Sequence, residues 1–137
     1  MLRFYFCLLI IFGAAFFFSD AKEQSVKVFG KIWCNNMPLP NHEIKLMEHD
    51  TLDPDDLLNT VHSDRSGGYR VTGSESEVTS IKPYLRVNHT CGVNAERCYR
   101  ISDYTIPAEA IDSPNFFEMK KISLNEMGTR DDKKTCK

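Results

Sequence analysis

From Val26 onward the apolar residues recur at every second position. Val26, Val28, Gly30, Ile32 and Cys34 fall in one phase, and Lys27, Phe29, Lys31 and Trp33 in the other. A period of two puts alternate side chains on opposite faces of an extended backbone, so this segment is predicted to be a strand. Phe29 and Trp33 lie on its less apolar face and are expected to pack as the core of a second layer. Residues 35–41, rich in Asn and Pro, read as a turn. Ile44 and Leu46 mark the inner face of a second strand over residues 43–48. The acidic connection that follows holds Asp50, Asp53, Asp55 and Asp56. Asp53 as N-cap, Pro54 as first helical residue and two carboxylates facing the helix dipole predict one helical turn or a capped loop. A third strand is predicted over residues 59–62. A tight turn follows over residues 63–68, where Asp64 can bond the backbone ahead of it and the glycines accept positive φ. A fourth strand over residues 69–73 and a polar loop over residues 74–80 come next.

The cleanest alternation runs from Ile81 to Cys91. Ile81, Pro83, Leu85, Val87, His89 and Cys91 share one side; Lys82, Tyr84, Arg86, Asn88 and Thr90 share the other. This predicts Tyr84, Arg86 and Asn88 on the outer face. It also predicts His89 in the core, hydrogen-bonded to backbone. Further strands are predicted over residues 97–105 and 116–124, with a helical turn over residues 106–111 and an irregular polar tail over residues 127–137. About seven short strands at such spacing, without a repeat or a low-complexity tract, predict an all-β sandwich.

The first residues change the setting. Arg3 precedes an apolar run from Phe4 to Phe18, and Ser19 and Ala21 supply small residues before a cleavage point. That order is a secretory signal peptide over residues 1–21, leaving a single domain over residues 22–137. The run is shorter than the roughly 20 residues of a membrane span, so the protein is expected to be secreted and not membrane-spanning. The net charge of −2 is unaltered by loss of Arg3 and Asp20 and points to neither nucleic acid nor an anionic membrane as an electrostatic partner. Cys7 leaves with the signal, and Cys34, Cys91, Cys98 and Cys136 remain, an even count that predicts two disulfides in an oxidising route. Of the three pairings that four cysteines allow, a bridge across the connecting loop, Cys91 with Cys98, is the simplest. It leaves Cys34 with Cys136. Asn88-His89-Thr90 is an N-glycosylation sequon on the outer face of its strand.

Candidate chemistry is sparse. His42, His49, His62 and His89 share no short spacing, and a general base needs a positioned partner. The acidic connection is dense enough to consider Ca²⁺. It lacks the EF-hand spacing, and capping with solvation explains it. No cofactor, metal or catalytic residue is assigned. Tyr84 and Arg86 are the candidate binding residues, as part of an exposed surface.

The ordered set Val28-Phe29-Gly30-Lys31-Ile32-Trp33-Cys34, Ile44-Lys45-Leu46, Asp64-Arg65-Ser66-Gly67-Gly68-Tyr69, Pro83-Tyr84-Leu85, His89-Thr90-Cys91, Cys98, Ile106-Pro107 and Cys136 resembles the nematode transthyretin-like family of secreted proteins. The resemblance implies a transthyretin-type sandwich of seven or eight strands, secretion and two disulfides. It also implies extracellular binding, of a lipid, a small hydrophobic molecule or a cell-surface protein. Transthyretin-fold relatives include 5-hydroxyisourate hydrolases, whose Tyr-Arg-Gly-Ser terminus is replaced here by Lys134-Thr135-Cys136-Lys137. The leading expectation is therefore a secreted binding or adaptor protein. A hydrolase of that type and a structural, oligomeric protein are the alternatives.

Overall fold

The computed structural model describes residues 20–137. The signal peptide expected over residues 1–21 thus lies outside the described residues except for Asp20 and Ala21. The described chain is an all-β sandwich of two sheets.

The first sheet is built around β1 (Lys22–Cys34). It pairs antiparallel with β5 (Gly68–Glu77) over its first ten residues and with the short β2 (Met37–Pro38) at its end. The pieces β8 (Phe117–Glu118) and β9 (Ile122–Ser123) run parallel to it. The second sheet has the order β10 (Asp131–Cys136), β7 (Cys98–Thr105), β6 (Pro83–His89), β3 (Glu43–Glu48), β4 (Asp56–His62), all neighbours antiparallel. Because β8 and β9 follow one another along β1, and β2 continues the line of β5, the ten strands occupy eight positions. A single 3-10 turn, Ala108–Ala110, fills the place of the helical turn expected near residues 106–111.

The core lies between the sheets and is made by the inward phases. Val26, Val28 and Ile32 of β1 and Val71 of β5 face Ile44 and Leu46 of β3 and Leu85 and Val87 of β6. Each such side chain contributes about 1.5–3 kcal/mol by leaving water.

Several expected boundaries shift. β1 and β5 are longer than predicted, because the polar residues Lys22–Ser25 and Ser74–Glu77 complete each other's backbone hydrogen bonds. The polar loop expected over residues 74–80 is therefore strand up to Glu77. No helix follows Asp53. Asp50 instead accepts the N–H groups of Leu52 and Asp53 (3.2 and 3.5 Å), and the chain enters β4 at once. The tail expected to be irregular forms β10 on the edge of β7. The single strand expected over residues 116–124 is broken into β8 and β9.

The expected cysteine pairing is corrected. The disulfides are Cys34–Cys91 and Cys98–Cys136. Cys98 and Cys136 are register partners on β7 and β10, so the edge strand, not the loop, brings them together. Cys34 at the end of β1 meets Cys91 just beyond β6, which joins one sheet to the other.

Candidate functional site

A cleft of about 650 Å³ opens between β1, β5, the end of β4 and the β8–β9 segment, within the size range of small-molecule sites. Its mouth is organised by the turn from Asp64 to Gly68. Asp64 Oδ1 accepts hydrogen bonds from the Ser66 N–H (2.8 Å), the Ser66 hydroxyl (2.7 Å) and the Gly68 N–H (2.9 Å). These bonds, that of the Ser66 hydroxyl foremost, hold the exposed carboxyl below its usual range. Gly67 takes a φ of 75° there, a conformation with little penalty only for glycine. A Cβ at Gly67 would stand 2.5 Å from the Ile32 carbonyl oxygen.

Phe29, Val61, Tyr69 and Met119 supply the apolar part of the wall. Tyr69 is the register partner of Gly30 and lies across it. A Cβ at Gly30 would come within 2.7 Å of the phenol oxygen and 3.2 Å of Met119 Cβ. The absence of a side chain at residue 30 is thus what accommodates the ring. The phenol oxygen is buried without a hydrogen-bond partner, and burial pushes its pKa well above the ordinary tyrosine value. It remains a donor at every physiological pH.

The rim is cationic. Lys31, Arg70 and Lys121 line the cleft against the carboxylates Asp64 and Glu118. Among the described residues none of the three cations forms an ion pair. Aromatic faces hold two of them: Arg70 lies 4.1 Å from the ring centre of Phe116 and 5.8 Å from that of Phe29, and Lys121 lies 4.3 Å from that of Trp33. Phe29 and Trp33, expected as core, are half-buried beneath these cations. The sequence held one signal for this wall, a glycine in an inward phase. No pattern linked Lys31, Arg70 and Lys121, which come from three segments.

Tyr84 keeps the outer phase of β6 that alternation predicts, but the exposure expected of it is overturned. Tyr84 is 0% exposed. Its hydroxyl donates to Asp55, and its ring is covered by the guanidinium groups of Arg130 (4.1 Å) and Arg86 (5.5 Å). Arg86 itself makes a two-pronged ion pair with buried Asp103 (2.8 and 2.9 Å), which raises its already high pKa. Two long side chains and the acidic connection thus roof this part of the sheet, and Tyr84 and Arg86 hold that roof together.

The histidines are dispersed. His42 Nε2 donates to the Asn88 carbonyl oxygen (2.9 Å), His49 Nδ1 to Asp55 (3.0 Å), and His62 lines the cleft. His89 is buried, as its phase predicts. The Cys91 N–H donates to its Nδ1 (3.0 Å), so Nε2–H donates to the Ser102 hydroxyl (2.9 Å). Ser102 donates onward to Asp132 (2.6 Å), which also receives Arg100 (2.7 and 3.0 Å) and the Gly128 N–H (2.8 Å). Burial, with the Arg100 charge beside it, lowers the His89 pKa to about 4. For Asp132 burial opposes ionisation, but the bonds from Arg100 and Ser102 outweigh it and hold the carboxyl at about 2. Asn88 is exposed on the opposite phase of β6.

Two disulfides, two packed sheets and an open amphipathic cleft define a stapled β-sandwich of the transthyretin type. The model of the transthyretin-like family (TTR-52) matches residues 29–107, and the chain belongs to that family. Transthyretin-like protein 16 of Caenorhabditis elegans is 40% identical over 77% of this chain and 78% of its own length. Transthyretin-like protein 33 of the same organism is 35% identical over 74% of each. Among solved structures a 9R-lipoxygenase from Cyanothece aligns with a TM-score of 0.42 and 13% identity, over 74% of this chain and 16% of that one. That likeness carries no argument. No helix among the described residues is long and apolar enough to cross a membrane.

Proposed function

We propose that this chain is a secreted extracellular binding protein that holds an amphipathic ligand, an apolar body with an anionic head, in the cleft between β1, β5 and the β8–β9 segment. The observation that carries this reading is the pairing of an apolar wall, Phe29, Val61 and Met119, with three cations that form no ion pair among the described residues. Burying the apolar body supplies the non-directional affinity. The Arg70 guanidinium and the Lys31 and Lys121 ammonium groups supply charge-assisted bonds to the head. Secretion is supported by the charged-apolar-small order of residues 1–21 and by two disulfides, which persist in oxidising compartments. A glycan on Asn88 would stand on the second sheet and leave the cleft open.

The test is a titration of the folded, oxidised protein with a fluorescent long-chain fatty acid, alongside the corresponding alcohol and vesicles with and without anionic lipid. Saturable binding of the acid is expected, at least tenfold tighter than of the alcohol. Arg70→Glu with Lys121→Glu should weaken it more than tenfold, while the loss of their two ring contacts lowers Tm only slightly. An acid that does not bind, or binds equally well to the double variant, removes this reading. Binding confined to anionic vesicles would make the surface a membrane-contact site instead.

A further inference from the structure

Three inward-facing rows of the sandwich end in carboxylates at the same end of the molecule. The row on β3 runs Ile44, Leu46, Glu48, and the row on β5 runs Val71, Gly73, Glu75, Glu77. β4 opens with Asp56, two residues before Leu58, which packs on the core. Alternation alone would make these inward positions apolar. Glu48 and Asp56 are moreover direct register partners, an arrangement in which like charges repel.

The carboxylates converge. One oxygen from each of Glu48, Asp56 and Glu77 lies within 4.8 Å of the other two. Glu48 is 3% exposed. Its Oε1 accepts the Lys82 N–H at 3.3 Å, while Oε2 is buried with no hydrogen-bond partner. Leaving a buried carboxylate oxygen unpaired is unfavourable by more than a neutral hydrogen bond returns. Burial, and then the charges of Glu77, Glu75 and Asp50, push the Glu48 carboxyl above its usual range. Lys82 lines the small cavity beside Glu48 and Glu77, yet among the described residues none of the three carboxylates forms an ion pair. That cavity measures about 90 Å³, enough for an ion and one or two waters at ~30 Å³ each.

We propose that Glu48, Asp56 and Glu77 bind one calcium ion, which ties the β3–β4 hairpin of one sheet to β5 of the other. The donors are all hard oxygens, which suits calcium or magnesium and not zinc, whose sites prefer His and Cys. Calcium accepts oxygens at roughly 2.3–2.6 Å in irregular geometry, so two of its ligands can stand up to about 5 Å apart. Magnesium demands a tighter octahedron. Thr51, Thr79 and Ser80 line the cavity beside Glu48 and Glu77, so their hydroxyl groups and water are the candidates for the remaining ligands. Capping accounts for Asp50, and hydrogen bonds to Tyr84 and His49 account for Asp55. Neither explanation reaches Glu48 or Glu77.

The experiment is calorimetric titration of the folded, oxidised and chelator-stripped protein with calcium chloride, with magnesium and zinc in parallel, and thermal unfolding in calcium and in EDTA. One calcium per chain is expected, with a Tm in calcium above that in EDTA, as binding to the folded state alone requires. The affinity class is that of extracellular modules, on the order of 10⁻⁴–10⁻³ M. Glu48→Gln should weaken calcium binding more than tenfold, and in EDTA its Tm should equal or exceed that of the native chain, because a repelling charge is gone. Glu77→Gln, at a half-buried position, gives the same loss of calcium affinity should Glu48→Gln fail to fold. No heat and no Tm change at millimolar calcium overturns the proposal and leaves Glu48 as a buried carboxylic acid. Full calcium affinity in both variants overturns it too, as does a response to magnesium or zinc alone.

Discussion

His89 is neutral in the folded chain because burial excludes its charged form, and its two nitrogens are committed in opposite roles. Nδ1 accepts from Cys91 N–H, and Nε2–H donates to Ser102, which passes the chain of bonds to Asp132. The folded pKa of about 4 lies below the ordinary value of 6.5, so between those values the unfolded chain binds the extra proton. Stability therefore falls as pH drops from about 6.5 toward 4, by about 3 kcal/mol in all if the whole shift is expressed. Urea unfolding at a series of pH values measures it. His89→Gln should flatten the slope in this window, at the expense of some stability near pH 7. An unaltered slope would place the proton uptake elsewhere. Asp132 acts in the same direction in a lower window: its depressed pKa of about 2 contributes stability above the ordinary carboxyl value of 3.8 that is lost as pH falls toward 2.

Among the strands of six residues or more, β10 is the one whose position is least supported by apolar burial. Apart from the buried carboxylate of Asp132 its residues are exposed or half-buried, and it is held by backbone pairing with β7, by Asp132 and by the Cys98–Cys136 bridge. Removing the bridge with Cys98→Ser and Cys136→Ser should therefore free the far end of the strand locally. Amide exchange is expected to accelerate at Lys134 and Thr135 at least tenfold, while Leu85 and Val87 in β6 keep their protection. Acceleration throughout the second sheet would show that β10 is part of the cooperative core. The edge pairing has a second consequence. β10 pairs with β7 and becomes the free edge of the sheet itself, and its aspartates and lysines disfavour the addition of a strand from another chain.

For the molecule as a whole, the Cys34–Cys91 disulfide joins the two sheets near one end, and the converging carboxylates lie where β3, β4 and β5 meet. The bridge closes a sequence separation of 57 residues. Restricting the unfolded chain over such a loop is worth about 4 kcal/mol in the chain-entropy account. The Cys34→Ala, Cys91→Ala variant should lose stability of that order in chemical denaturation, as a cooperative change in midpoint. A loss below 1 kcal/mol would mean that the core alone holds the sheets in register.

The local pattern was enough for the strands whose one face is apolar. Val26 to Cys34 and Ile81 to Cys91 announced their faces by alternation, and His89 was placed inside by its phase alone. The signal order at the start, the even cysteine count and the family resemblance were equally matters of sequence. Polar strands were not legible: Lys22–Ser25, Ser74–Glu77 and β10 are extended because a partner strand supplies their hydrogen bonds, and nothing in their own composition demands it. The Glu75 and Glu77 positions continue the inward phase of Tyr69 and Val71, a signal hidden because charged residues read as loop. Cysteine pairing, the burial of Tyr84 under Arg86 and Arg130, the cationic rim of the cleft and the meeting of Glu48, Asp56 and Glu77 all depended on the folded chain. Alternation reports which way a side chain points from its own strand. Which distant side chain it meets depends on strand order, and strand order is decided by the packing of one sheet on the other.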